Sequence, residues 1–304
     1  MPSWRGISGR CGLATPLVVA ALWPAKPCFA DSILAPAGPV GAGDAIILLD
    51  ATIIMLAIVI PTMLATLAFA WWYRASNARA TYRPDWTYSG RIELLVWSIP
   101  TLVIFFLGGV IWIGSHQLDP FQPLSRAKPL EIEVVALDWK WLFIYPQQNV
   151  ASINELVVPV GTPLHFRLTS ASVFNVFFVP RLGSQIYAMN GMTSQLNLLA
   201  DKPGNYLGLS AHFSGDGFSN MHFATIAEPQ EQFARWIAQA QAKGEVLDAA
   251  AYRRLLRQDI SLAPYTYRGV LPGLFDAVAM QKLPPGEGPH ASRDGAGINP
   301  HGGT

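Results

Sequence analysis

The sequence predicts a membrane α-helical hairpin of two transmembrane helices, followed by an all-β sandwich with a short helical C-terminal extension. Three observations carry this. Two long uncharged runs lie within the first 115 residues, seven short segments rich in Val, Ile, Phe and Leu follow between residues 130 and 227, and apolar residues recur at helical spacing beyond Pro229. Composition agrees, because 51% of the 304 residues are apolar and only 13% are charged, about half the charged share of a soluble domain. The 21 basic and 20 acidic side chains leave a net charge of +1, which excludes a surface that tracks nucleic-acid phosphates. With no short repeat and 11% aromatic residues, collagen-like, coiled-coil and wholly disordered chains are excluded as well.

Residues 1–30 read as a secretory signal peptide. Arg5 and Arg10 form a basic start, Leu13 to Trp23 an apolar core, and Cys28-Phe29-Ala30 places small residues three and one before a cleavage after Ala30. Acylation of Cys28 as a lipoprotein is the alternative, and the flank Ala25-Lys26-Pro27 suits it poorly. Cleavage removes Arg5, Arg10, Lys26 and both cysteines (Cys11 and Cys28), leaving 18 basic against 20 acidic residues and a net charge of −2. Residues 31–44 then form a short outer segment, with the Gly-rich stretch from Gly38 to Gly43 read as a linker.

The first span is assigned to 45–73. Ala51 to Tyr73 is 23 residues without a charge, about 34 Å of helix against a hydrocarbon core of about 30 Å. Pro61 is tolerable inside a lipid-embedded helix, and Trp71, Trp72 and Tyr73 close the run as an interfacial belt. The second span, 92–115, contains the uncharged run Leu94 to Ser115. Between them, 74–91 carries Arg74, Arg79, Arg83 and Arg91 against the single acid Asp85. That bias puts the loop in the cytoplasm, and hence everything after residue 115 on the outer side.

The outer domain is assigned to 116–228. Leu130 to Leu137, Glu155 to Val160, Leu164 to Thr169, Val173 to Val179, Gln195 to Leu199, Asn205 to Ala211 and Met221 to Ala227 are partly alternating segments separated by Gly, Pro and Asn. Such spacing reads as a sandwich or barrel. Residues 229–283 read as helical, with Phe233, Trp236, Ile237 and Ala240 on one face and a second helix over Asp248 to Gln258, while 284–304 has little to bury and reads as disordered. No serine elbow, P-loop or metalloprotease helix is present, and Ser214-Gly215-Asp216-Gly217 lacks the alternating oxygen ligands of a calcium loop.

Three ordered motifs carry a resemblance. Glu93 to Pro100 (ELLVWSIP), Asp138-Trp139-Lys140-Trp141, and Phe177 to Met189 (FFVPRLGSQIYAM) make the chain, over roughly residues 44 to 270, similar to subunit II of the haem–copper respiratory oxidases. The resemblance implies a cupredoxin-like sandwich. In the cytochrome c-oxidizing branch that sandwich holds two coppers through two bridging thiolates, two imidazoles, a thioether and a backbone carbonyl, soft donors suited to cuprous copper. Laid on this sequence, those slots hold Asn175, Ser210, His212, Ser214, Phe218 and Met221. Serine hydroxyls do not ionise near neutral pH, Phe218 has no donor atom, and Met221 alone reads as a core side chain. The pattern therefore resembles the quinol-oxidizing, cytochrome bo-type branch.

That branch implies several expectations. No cofactor is held in this chain, and haems and copper sit in subunit I. Its partners are oxidase subunit I and subunits III and IV, membrane lipid, and quinol bound by the complex, with no nucleic acid. The complex oxidises quinol, reduces oxygen and pumps protons in a bacterial inner membrane, with the C-terminal domain in the periplasm. Glu93 is the candidate proton-channel entry; by its residues alone it reads as an interfacial carboxylate beside Arg91. Trp139 and Trp141 read as alternating on one strand face. His165, His212 and His222 form the rival reading, a replacement copper site. The alternatives are a copper-binding electron-entry subunit of a cytochrome c oxidase-like complex and a non-enzymatic membrane-tethered binding protein.

Overall fold

A computed structural model of the chain describes residues 33–81, 83–259, 263–286 and 288. The predicted leader with Cys11 and Cys28, and all of the tail beyond residue 288, lie outside them.

Helix α1 (Pro39–Trp72) opens with Pro at its first position, where the missing N–H costs nothing. It therefore begins inside the stretch read as a linker, and six residues before the predicted span. The reason lies in close packing. Ala37 donates to the Arg181 carbonyl at 2.8 Å, Gly41 to that of Leu182 at 3.0 Å, and the Arg181 guanidinium returns a bond to Ala35. A Cβ on Gly38 would lie 2.1 Å from the Leu199 carbonyl oxygen, and one on Gly41 2.8 Å from that of Arg181. These glycines let the helix start against the outer domain. Helix α2 (Gly90–Gln117) runs back beside α1, with Ile47 over Gly114 and Leu118 over Gly43. Inside α1 the hydroxyls of Thr52, Thr62 and Thr66 donate to carbonyls four residues back, which satisfies them without water. Leu94, Ile104 and Phe105 are 70%, 70% and 74% exposed, an apolar surface that only lipid or another membrane protein can cover.

The outer domain contains ten strands: β1 (Leu130–Leu137), β2 (Lys140–Tyr145), β3 (Val150–Ile153), β4 (Glu155–Pro159), β5 (Pro163–Ser170), β6 (Asn175–Phe178), β7 (Ile186–Ala188), β8 (Ser194–Leu199), β9 (Gly204–Ser210) and β10 (His222–Glu228). After them come α3 (Gln230–Ala242), β11 (Val246–Leu247), α4 (Ala249–Leu255), β12 (Tyr265–Tyr267), β13 (Gly269–Val270) and α5 (Leu274–Ala279). One sheet has the order β12-β3-β2-β1-β5-β8 and the facing one β4-β10-β9-β6-β7. Between them lies an aromatic core: Phe177 stacks on Phe223 with centroids 5.3 Å apart, and Trp141 meets both edge-on.

The extension carries the expected helices and adds strands to them. β12 joins β3 as the last strand of the six-stranded sheet, and β11 pairs with β13. With α4 and α5 it buries the outer face of that sheet under a second core of Leu137, Leu142, Ile153, Tyr252, Leu255, Phe275 and neighbours. β1 and β2 are thus covered on both sides, Val134, Ala136, Trp141 and Phe143 facing the inner core and Val135, Leu137, Leu142 and Ile144 the outer. The chain stays attached beyond residue 283, where the sequence reads as disordered. Gly286 donates to the Ala171 carbonyl at 2.9 Å and Gly288 to the Asp138 carboxylate at 3.0 Å.

Candidate functional site

β9 ends at Ser210 and β10 begins at His222, and the loop between them closes where the Ser210 N–H donates to the Met221 carbonyl at 3.0 Å. β6 runs beside β9, so Asn175, its first residue, reaches the same place. The fold thus brings Asn175, Ser210, Ser214 and Met221 together in buried positions, with relative exposures of 0%, 4%, 5% and 2%. His212 and Phe218 belong to the same loop but turn outward. His212 meets the Phe174 ring edge-on at 4.6 Å, and Phe218 meets Phe213, which is 71% exposed.

The buried polar groups satisfy one another. The Ser210 hydroxyl donates to the Asn175 side-chain oxygen at 3.1 Å, with the His212 carbonyl at 3.4 Å as a second acceptor. The Asn175 amide donates to the Val173 carbonyl at 3.1 Å, and the Ser214 hydroxyl lies 3.9 Å from the Met221 sulfur. Buried polar atoms need such partners, and here the partners are protein. A two-copper centre does not fit this donor set: the bridging positions carry neutral hydroxyls already committed as donors, one ligand position is a hydrocarbon ring, and a lone thioether remains. Among the described residues no three His, Cys, Asp or Glu side chains are grouped to hold a metal ion.

The rival histidine cluster does not assemble either. His165 lies on β5 in the six-stranded sheet, its Nδ1 2.9 Å from the Asn197 oxygen and its Nε2 3.9 Å from Glu131. His222 is exposed at the start of β10, while the neighbouring Met221 faces inward.

The loop is held from below by Trp139. The β1–β2 register pairs Leu137 with Lys140, so Asp138 and Trp139 are a two-residue turn, and Trp139 has φ 61°. This corrects the expectation that Trp139 and Trp141 alternate along one strand: only Trp141 is in β2. From the turn, the Trp139 indole donates to the Ser214 carbonyl at 3.1 Å. A Cβ on Gly217 would lie 2.3 Å from that ring, so only glycine fits where the loop crosses it. On either side of Trp139, the buried Lys140 ammonium donates to the Arg257 carbonyl at 2.5 Å, and Asp138 accepts from Ser172 and Gly288. Burial lowers the Lys140 pKa, against the pull of Asp259 and Asp138.

Glu93 stands in the first turn of α2, where a carboxylate favours the positive helix end. Its carboxylate accepts the Trp97 indole N–H at 3.1 Å, four residues on. No ion pair among the described residues joins it to Arg91.

Comparison with known proteins agrees with this architecture. The family described as "Cytochrome C oxidase subunit II, periplasmic domain" matches residues 128–227, most of the β domain. The "Ubiquinol oxidase subunit 2" of Acetobacter aceti is 48% identical over 81% of this chain and 81% of its own length. The "Cytochrome bo(3) ubiquinol oxidase subunit 2" of Pseudomonas aeruginosa is 46% identical over 79% and 73%. The periplasmic domain of subunit II of cytochrome oxidase from Bradyrhizobium japonicum has 25% identity and a TM-score of 0.37, covering 39% of this chain and 98% of that one. The chain belongs to the ubiquinol oxidase subunit 2 family. It is a membrane-anchored subunit of an oxidoreductase complex, with its β domain in the periplasm.

Proposed function

We propose that this chain is the copper-less subunit II of a proton-pumping ubiquinol:oxygen oxidoreductase in a bacterial inner membrane. It scaffolds the catalytic subunit I, alongside subunits III and IV, and contributes Glu93 to proton uptake. The carrying observation is the exchange of copper donors for a closed set of hydrogen bonds at Asn175, Ser210, Ser214 and Met221. Electrons then have no stop in this domain, and quinol delivers them within the membrane to haems and copper held by subunit I. Signal-peptide cleavage after Ala30 and the domain boundaries remain part of this reading.

The proton role rests on placement. Glu93 lies at the inner end of α2, two residues from Arg91 and next to the uncharged run, and a carboxylate at such a depth marks a functional position. Affinity purification of the tagged chain from membranes tests the whole reading. It predicts co-purification of a haem-containing complex with quinol:oxygen activity and no near-infrared absorption of a two-copper centre; a haem-free preparation would refute it.

A further inference from the structure

Between the two spans, Arg74 to Arg91 carries four arginines and one acid. None of the four forms an ion pair among the described residues, and all four are exposed. The loop is nevertheless built into successive turns: Asn77 donates to the Arg74 carbonyl at 2.9 Å, Ala80 to that of Asn77 at 3.2 Å and Trp86 to that of Arg83 at 3.3 Å. The Asn77 side chain ties the first turn to the end of α1 through the Trp72 carbonyl at 2.6 Å, and accepts from the Arg79 N–H at 3.1 Å. Arg74 folds back over the Trp71 ring, its guanidinium carbon 4.7 Å from the centroid, with one N–H on the Trp71 carbonyl and another on Ser76. Trp71, Trp86 and Tyr88 are 64%, 57% and 72% exposed around this loop, the residue types that settle at headgroup depth.

We propose that this loop is a binding surface for anionic phospholipid headgroups of the inner leaflet. Unpaired guanidinium groups at the membrane boundary need counter-charges. A phosphodiester accepts two parallel N–H bonds from one arginine, and a headgroup without a cation, as in phosphatidylglycerol, leaves the phosphate charge uncancelled where the choline of phosphatidylcholine cancels it. Aromatic rings at the same depth fix the loop against the headgroup layer. The proposal needs the hairpin to stand in a membrane and is independent of the copper and proton readings.

Spin-labelled phosphatidylglycerol and phosphatidylcholine, each tested with the full chain in phosphatidylcholine vesicles, read the preference directly. The expected preference for phosphatidylglycerol is about threefold at low salt, falling toward parity at about 0.5 M salt. R79Q/R83Q should lose more than half of that preference, R79K/R83K should retain part of it because it keeps the charge without the two-bond fork, and equal association of labelled phosphatidylcholine with all forms verifies that each hairpin is inserted. Equal association of the two lipids with the unaltered chain would overturn the proposal. So would an unchanged preference in R79Q/R83Q, which would assign these arginines to a protein partner instead.

Discussion

The Ser210 hydroxyl donates to the Asn175 side-chain oxygen at 3.1 Å, so two positions that hold copper donors in the resembling cytochrome c branch here satisfy each other in a buried pair. Ser210→Ala leaves the Asn175 oxygen without that donor and should cost about 1–3 kcal/mol. Removing both polar groups, in S210A/N175L, should cost less than the sum of the two single changes. Thermal or denaturant unfolding of the four proteins as a double-mutant cycle measures this, and strict additivity would show that the pair is uncoupled.

Gly217 crosses Trp139 with no room for a side chain. Gly217→Ala should therefore destabilise the domain by about 1–3 kcal/mol through overpacking, and should expose the 211–221 loop to protease. Gly215 is nearby but carries φ 107°, so its cost is backbone strain rather than contact. Adding Trp139→Phe to Gly217→Ala should recover part of the loss, because the smaller ring leaves space. Limited proteolysis with unfolding midpoints gives the readout.

Four strands of the sandwich were legible as alternation, since β5, β8, β9 and β10 bury every second residue over most of their length. β2 was not, because KWLFIY is buried throughout by the inner core on one face and by the extension on the other. The turn before it was hidden too: Trp139 adopts a left-handed conformation without the Gly or Asn that usually announces one. β12 could not be read because its three residues become a strand only by pairing with β3, over a hundred positions earlier. The copper slots were legible as residue types, but their hydrogen bonds were not, since Asn175 and Ser210 meet only through the β6–β9 pairing. Glu93 was singled out as a candidate by its motif, and its Trp97 partner follows from the four-residue helical spacing.

Glu133 offers a pH test of the sheet's outer face. Burial raises its carboxyl pKa above the ordinary 4.5, against the opposing pull of Arg167, which bonds it at 2.8 Å. A carboxyl that keeps its proton longer when folded adds stability below the unfolded value, and loses it as pH rises through the raised folded value. The difference in unfolding midpoint between the unaltered chain and Glu133→Gln should therefore drift against the unaltered chain as pH climbs upward from 4.5. A difference independent of pH across that window would exclude a titrating Glu133.

Glu93→Ala should lower steady-state turnover and proton uptake of the assembled complex several-fold without reducing haem content. Glu93→Asp should keep a larger share of both. The Trp97 indole is the carboxylate's partner, so Trp97→Phe should give a milder loss that leaves a titratable group in place. Unchanged turnover and uptake in Glu93→Ala would remove this residue from the proton path.

We propose that electrons bypass this domain, since the positions that would hold copper form a hydrogen-bonded core. Copper analysis of the full chain, separated from its partner subunits without chelators and after incubation with cupric and cuprous salts, is the decisive measurement. Copper far below one equivalent and no near-infrared band is the expected result. Stoichiometric copper that survives desalting would instead make this domain a copper carrier.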